Sequence, residues 1–188
     1  IVVFPWATSL IIQAGVWKFI IDKDYGALNT LLMKIGIISN PVNWTPTPEA
    51  YFAWEIFVGI FVTVPFVTFC VLSGLQSIDN SYYEAATVDG ANYWQKLFKI
   101  TLPLVKSSLT VSTVLNIIYV FNSFPIIWTI TKGDPASRTD TLVTYLYKLA
   151  FYKGKSGEAA AVSVIGFLIL CACASVYMVL SLRKEDED

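Results

Sequence analysis

Four stretches of this 188-residue chain are each apolar over about the length of a bilayer crossing, and no other feature restricts its fold as severely. A hydrocarbon core of roughly 30 Å takes about 20 apolar residues in a helix, and inside it every backbone N–H and C=O must find a partner within the protein. The stretches are 1 to 21, 51 to 75, 107 to 131 and 159 to 182. Pro5 lies in the first, and Pro65 and Pro125 predict kinks in the second and third. A mean hydropathy of +0.60 agrees, being well outside the norm for soluble domains. The reading is an all-α polytopic membrane bundle, residues 1–188 forming one transmembrane domain with about four membrane helices. The chain opens inside an apolar run without an initiator Met or a basic flank, the pattern of a segment cut within a membrane helix and not of a signal peptide.

Several chemistries are excluded at once. There is no histidine, which removes histidine-dependent catalysis. Cys70, Cys171 and Cys173 lie in apolar runs, a poor setting for a disulfide framework or a zinc site. No nucleophile-and-base pair or ligand cluster is apparent, so neither catalytic residues nor a metal site are expected. Lys and Arg are scattered and the net charge is −1, which argues against nucleic acid. "GKS" at 154 to 156 lacks the glycine of a phosphate-binding loop, since Leu149 occupies that place, and the chain itself should bind no ATP. "NWT" at 43 to 45 reads as an exposed loop.

Parity places the 76 to 106 connection on the same side as the C-terminal "RKEDED", with 22 to 50 and 132 to 158 opposite. The first side carries Lys96, Lys99, Lys106, Arg183 and Lys184; the other carries Lys23, Lys34, Lys132, Arg138, Lys148, Lys153 and Lys155. Basic residues alone thus favour the second side as cytoplasmic. That side also holds the helical patterns "ALNTLLMKIG" and "TDTLVTYLYKLAF", whose lysines can snorkel from interfacial helices, so the count leaves orientation open.

The connection at 76 to 106 is the most informative. Asp79, Asn80 and Ser81 form a helix start, and Ser81 with Glu84 has capping-box spacing, which predicts a short helix over 82 to 89. Gly90 ends it by taking the left-handed conformation. Asn92 caps a second helix with Trp94, Leu97, Phe98 and Thr101 on one face, and Pro103 begins the next membrane helix. A rigid knob continuous with membrane helices on both sides is suited to receive force from a soluble partner.

Glu84-Ala85-Ala86, Gly90 six positions after the Glu, and Ile100-x-Leu102-Pro103 after nine more resemble the EAA loop of the membrane subunits of bacterial ABC importers; Asp89 lies within it. Seven fixed positions match by chance about 10⁻⁸ times per start at average residue usage. A capping box alone accounts for Glu84 but not for Gly90 or the Ile-x-Leu-Pro at fixed distance. The second Glu-Ala-Ala, at 158 to 160, has Val164 in place of the glycine and reads as a helix start. Most of the chain, including "VPFVTFCVLSGLQSI" and "TKGDPASRTDTLVTYLYKLAF", is similar to the MalF-like subunits of maltose-type sugar importers. In that family the second loop usually has two glycines before the proline; this chain has Gly133-Asp134-Pro135. The resemblance implies a multi-pass subunit of the bacterial cytoplasmic membrane, surrounded by the lipid bilayer. Its implied partners are a second, MalG-like permease, an ATPase dimer that binds ATP and Mg, and an extracellular solute-binding protein. It also implies that 76–106 docks on the ATPase from the cytoplasm.

Polar side chains in membrane helices face the bundle or a water-filled path. Ser112, Asn116, Tyr119 and Ser123 recur at helical spacing in the third stretch, as do Glu55, Gly59 and Thr63 in the second. They are candidates to line a sugar path, or else to bond helix to helix. Glu55, near the outer end, is in reach of the interface. Importers of another solute, such as a polyamine or phosphonate, would share the EAA loop. A channel would leave it unexplained, and a membrane-embedded enzyme lacks the residues.

Overall fold

The computed structural model describes residues 7–183, and among them all regular structure is helical. Its elements are α1 (Leu10–Ile20), α2 (Ala27–Lys34), α3 (Pro48–Gln76), α4 (Asn80–Val88), α5 (Tyr93–Lys96), α6 (Leu102–Phe121), α7 (Phe124–Ile130), α8 (Leu142–Tyr147) and α9 (Ser156–Arg183). π-helical turns at Leu97–Thr101 and Lys148–Tyr152 join α5 to α6 and extend α8. Among the described residues, three uninterrupted helices are long and apolar enough to cross a membrane: Pro48–Gln76, Tyr93–Phe121 and Ser156–Ser181. The first expected span is described only from Ala7, and it contributes the 11-residue α1; Pro5 lies outside the described residues.

α3 starts where Thr47 accepts from the Ala50 N–H and Pro48, with no N–H, needs no acceptor, and it continues through Pro65. The missing N–H of Pro65 leaves the Phe61 carbonyl without its intrahelical donor, a cost that packed neighbours carry in membrane helices. The third expected span is displaced. Its helix is already running at Tyr93 and stops at Phe121, so Pro103 sits inside a continuous rod and does not begin one. Pro125 cannot donate to Phe121, and the chain breaks at Asn122 and Ser123 where a kink was expected. The Asn122 side-chain amide donates to the Ile118 carbonyl at 2.9 Å and so meets one acceptor that the break exposes. α7 then restarts with Pro125 in its first turn, where proline is tolerated.

The core lies among α1, α3 and α7, where Ala14, Val58, Val62, Ile126 and Ile130 are buried together. Trp17 of α1 meets Phe57 and Phe61 of α3 edge-on, with ring centroids 5.0 and 5.2 Å apart. α6 lies between α3 and α9. Gly74 lets α3 approach α6 closely: a Cβ there would stand 2.6 Å from Ser108 Oγ and 2.9 Å from Ser108 Cβ. Thr110 and Ser181 share a 2.6 Å hydrogen bond between α6 and α9.

The 22 to 50 connection is organised around buried Asn29. Its amide donates to the carbonyls of Lys23 and Val42 at 2.9 and 2.8 Å, and its oxygen accepts from the Val42 N–H and the Trp44 indole. Arg138 meets Glu49 at 2.7 Å, which puts the 132 to 158 connection on the same side as the start of α3, as parity requires. The 76 to 106 connection therefore lies at the opposite end of the spans.

Candidate functional site

Two regions carry the sequence-selected residues, the loop at 76–106 and a cavity between the helices that flank it. In the loop, the helix start is Asp79, not Ser81: the Asp79 carboxylate accepts from the Ser81 N–H at 2.8 Å. That bond, with the Ser81 hydroxyl, holds the exposed Asp79 carboxyl below its ordinary pKa. The expected Ser81–Glu84 box is not formed, because Asp79 provides the cap two residues earlier and α4 spans Asn80–Val88. Glu84 is thereby left exposed on α4, with Ala85 beside it.

Gly90 has φ +76° and closes α4 with a paired C-terminal motif: the Ala91 N–H donates to Ala86 O at 2.9 Å and the Gly90 N–H to Thr87 O at 3.1 Å. Asp89 is the last residue before this reversal. Asn92 accepts from the Gln95 N–H at 2.9 Å while the Gln95 side chain accepts from the Asn92 N–H at 2.8 Å, a reciprocal cap. Two bonds that sequence spacing did not reveal lock the short helices together. Tyr83 and Thr101 hydroxyls lie 2.9 Å apart, and Lys96 Nζ donates to Thr87 Oγ1 at 2.7 Å.

The π-turn holds Ile100, half-buried, and leads into exposed Leu102 and Pro103. Its wider winding divides the face expected to be common to Trp94, Leu97, Phe98 and Thr101. Leu97 and Thr101 turn inward, while Trp94 and Phe98 stack 6.1 Å apart and remain 63% and 60% exposed. Together with Val88, 88% exposed, they give the loop an apolar surface beside Glu84. Such a surface, presented on a rigid capped turn, is suited to a protein partner.

Thr63 of α3 and Asn116 and Tyr119 of α6 come together at a cavity of about 380 Å³ that is otherwise apolar. Asn116 donates its amide to Ser112 O at 3.0 Å, which leaves its carbonyl oxygen as an acceptor. The Thr63 hydroxyl is within donating distance of Ile60 O and Gly59 O, at 3.0 and 3.1 Å. Phe66 also lines this space and was not anticipated, although an aromatic three residues after Thr63 on the same helix face was readable. It forms a wall of a second, wider groove of about 620 Å³ that continues toward Cys70, Ser73 and Ser107.

Gly59, Ser112 and Ser123 do not join them. Gly59 contributes a carbonyl to Thr63. Ser112 is 1% exposed and donates to Leu109 O. Ser123 was placed on the same helix face as Asn116, but Pro125 ends that helix, and Ser123 sits outside it at the start of α7. Glu55 is also corrected: it is 4% exposed instead of reaching the interface, and it accepts from the Thr131 hydroxyl at 2.6 Å.

Comparison with known proteins gives the family and the fold. Residues 1–184 match the family model described as binding-protein-dependent transport system inner membrane component. A probable ABC transporter permease protein of Brucella suis is 48% identical over 98% of this chain, which spans 64% of that protein. The trehalose/maltose transport system permease protein MalF of Thermococcus litoralis is 34% identical over 99% of the chain and 62% of its own length. A chain from the crystal structure of a bacterial alginate ABC transporter, in complex with an alginate pentasaccharide-bound periplasmic protein, superposes with a TM-score of 0.85. It is 26% identical, over 98% of this chain and 64% of that one.

Proposed function

The chain belongs to the family of binding-protein-dependent transport system inner membrane components, multi-pass proteins of the cytoplasmic membrane, and on that premise we propose that it is the permease subunit of an ATP-driven importer for a sugar or oligosaccharide. The observation that carries the reading is the loop of 76–106, a capped helix-turn-helix that joins two membrane spans directly. An ATPase dimer receives Glu84 and the exposed Trp94 and Phe98 in a cleft. Closure of that dimer on ATP and Mg, which it and not this chain binds, moves the loop. α3 and α6 leave the loop on either side and form the cavity of Thr63, Phe66, Asn116 and Tyr119 between them. A displaced loop therefore moves both walls.

The cavity suits a saccharide. Ring faces of sugars stack on aromatic side chains such as Phe66 and Tyr119, and their hydroxyls need acceptors and donors such as the Asn116 carbonyl and the Tyr119 phenol. A polyamine would call for carboxylates, and none lines this space. The relatives named for trehalose/maltose and alginate transport support the same class. No covalent step is assigned to this chain; a MalG-like second permease completes the path, and an external binding protein delivers the solute. The deciding experiment reconstitutes the permease pair with its ATPase and binding protein in liposomes and measures uptake of a panel of labelled oligosaccharides, polyamines and phosphonates. ATP-dependent uptake of a saccharide is expected. Uptake of only a cationic or phosphonate solute would overturn the sugar reading, and ATP-independent flux would overturn the importer reading.

A further inference from the structure

The break between α6 and α7 leaves backbone polar groups unpaired at about half the depth of the spans. Phe121, the last residue of α6, lies beside Gly166 of α9, where a Cβ would stand 3.6 Å from Phe121 Cε1. Gly166 is 10 positions after Ser156, the first residue of α9, so Phe121 stands about 15 Å of helix below the outer end of that span. α3 gives a similar depth, since Tyr119 shares its cavity with Thr63, which is 15 positions from Pro48 and 13 from Gln76. Here the Phe121 carbonyl has no N–H to meet it, because Pro125 occupies the fourth position on, and the Ser123 N–H bonds Val120 O at 3.0 Å in place of Tyr119 O. The Asn122 amide is taken by Ile118 O, which leaves its Oδ1 as an acceptor.

Backbone that is not helical at such depth stands where protein buries it or where it lines a water-filled space, because lipid offers no partner. Asn122 is exposed in this chain. It stands one turn beyond Ile118, which lines the cavity of Thr63, Asn116 and Tyr119. It also lines a separate cavity of about 250 Å³ between α6, α8 and α9, together with Leu142, Ser163 and Gly166. The Ser163 hydroxyl donates to Ala159 O at 2.9 Å, so it too keeps acceptor capacity toward this space. The polar groups gathered at the break are therefore chiefly acceptors, and the carbonyl end of α6 adds the negative pole of its helix dipole. A ligand that suits them donates hydrogen bonds and carries no negative charge.

We propose that the break at Asn122 and Ser123 is a second station on the solute path, joining the two cavities, and that its acceptors select a neutral polyhydroxylated solute over an acidic one. The inference rests on the importer reading and goes beyond it, in adding Asn122 and Ser163 to the path and a sign to its selectivity. Saccharide hydroxyls would meet the Asn122 oxygen and the Phe121 carbonyl, and water takes those positions when solute is absent.

The test uses the complete complex in liposomes, with a cysteine introduced at Asn122 or at Ser163 and, as a control, at Leu168, which is 60% exposed and points away from the Gly166 face of α9. A small anionic methanethiosulfonate should modify Asn122→Cys and Ser163→Cys about tenfold faster than Leu168→Cys, since a thiol in hydrocarbon forms little thiolate; peptide mass spectrometry reads each position. Ser163→Cys leaves the Asn122 cap in place, so a fold lost in Asn122→Cys does not decide the outcome. During ATP-driven turnover, trehalose or maltose should slow modification at both positions by about threefold, the effect of a station occupied two thirds of the time, and an alginate pentasaccharide should not. Rates at both positions equal to that of Leu168→Cys would overturn the proposal, by showing the break covered by lipid or by the second permease. Fast modification that no transported solute slows, or equal slowing by the alginate pentasaccharide, would overturn it as well. Uptake by the wild type is measured alongside: its absence for every saccharide overturns the sugar reading of the function, whereas normal saccharide uptake with unprotected cysteines overturns the station alone.

Discussion

Gly90→Val isolates the role of backbone conformation in the coupling loop. The native φ of +76° lies in the left-handed region, and a Cβ placed on Gly90 would meet no atom within 4 Å. The Cβ itself thus meets no obstacle, and the dominant effect falls on φ. A left-handed residue bearing a Cβ costs about 1 to 2 kcal/mol, with β-branched residues at the upper end or beyond. At about 1.4 kcal/mol per factor of ten, the correctly aimed loop would lose roughly 5- to 30-fold in population relative to conformers with φ negative. Those conformers forfeit the Ala91 to Ala86 and Gly90 to Thr87 bonds and swing α4 relative to α5. Gly90→Asn serves as the control, because asparagine tolerates the left-handed region. The assay is solute-stimulated ATP hydrolysis and uptake in a reconstituted complex of normal subunit stoichiometry. Val should reduce both by up to that factor or more and Asn should retain most of each. Normal stimulation in Gly90→Val, or equal loss in Gly90→Asn, would refute the claim that the left-handed turn aims the loop.

Three further outcomes are expected. Glu84→Ala should weaken ATPase docking by about 1.5 to 3 kcal/mol, the range for a hydrogen bond to a charged group, and should lower uptake less than Gly90→Val; co-purification of the ATPase across a salt series checks it. A single cysteine at Asn80 should react with an impermeant thiol reagent only in opened cells, and one at Ser137 in intact cells; the reverse pattern would vindicate the lysine count over the docking argument. Asn116→Leu and Tyr119→Ala should alter solute uptake while leaving the ATPase bound, and loss of assembly instead would make these residues interhelical packing.

What could be read from the sequence was whatever depends on short range. The second and fourth apolar stretches, the Gly90 turn and the Asn92 cap depend on residues within a few positions of one another, so hydropathy, φ preference and capping chemistry are sufficient. The Ser81 cap failed for a local reason too, since Asp79 is an equally good cap placed two residues earlier. Ser123 failed because Pro125 was read as a kink, and a kink would have kept the serine on the helix face of Asn116; a complete break does not. The Tyr83–Thr101 and Thr131–Glu55 bonds join residues far apart in the chain, and their partners had no signature at any fixed spacing. Of the six candidate path residues, the three that meet at the cavity are those whose side chains face across the α3–α6 contact. Periodicity identifies a shared face, whereas only packing tells which neighbour that face meets.

α3 and α6 also explain how a loop at one membrane face can act on a cavity far inside. Thr63 is separated from Gln76, the last residue of α3, by 13 positions, or about 20 Å of helix. A rod of that length pivoting by about 10° at its loop end displaces Thr63 by roughly 3 to 4 Å, comparable with the gap between packed side chains. The pivot is transmitted only if α3 and α6 stay joined close to the loop, and Gly74 against Ser108 provides that joint within one turn of the end of α3. Farther from the loop, α3 and α6 line first the larger groove and then the cavity, where the aromatic side chains Phe66 and Tyr119 stand at the walls. A close joint beside the loop with open space between the helices farther along is the arrangement in which a small rotation changes the distance between the walls while the docked end keeps its shape.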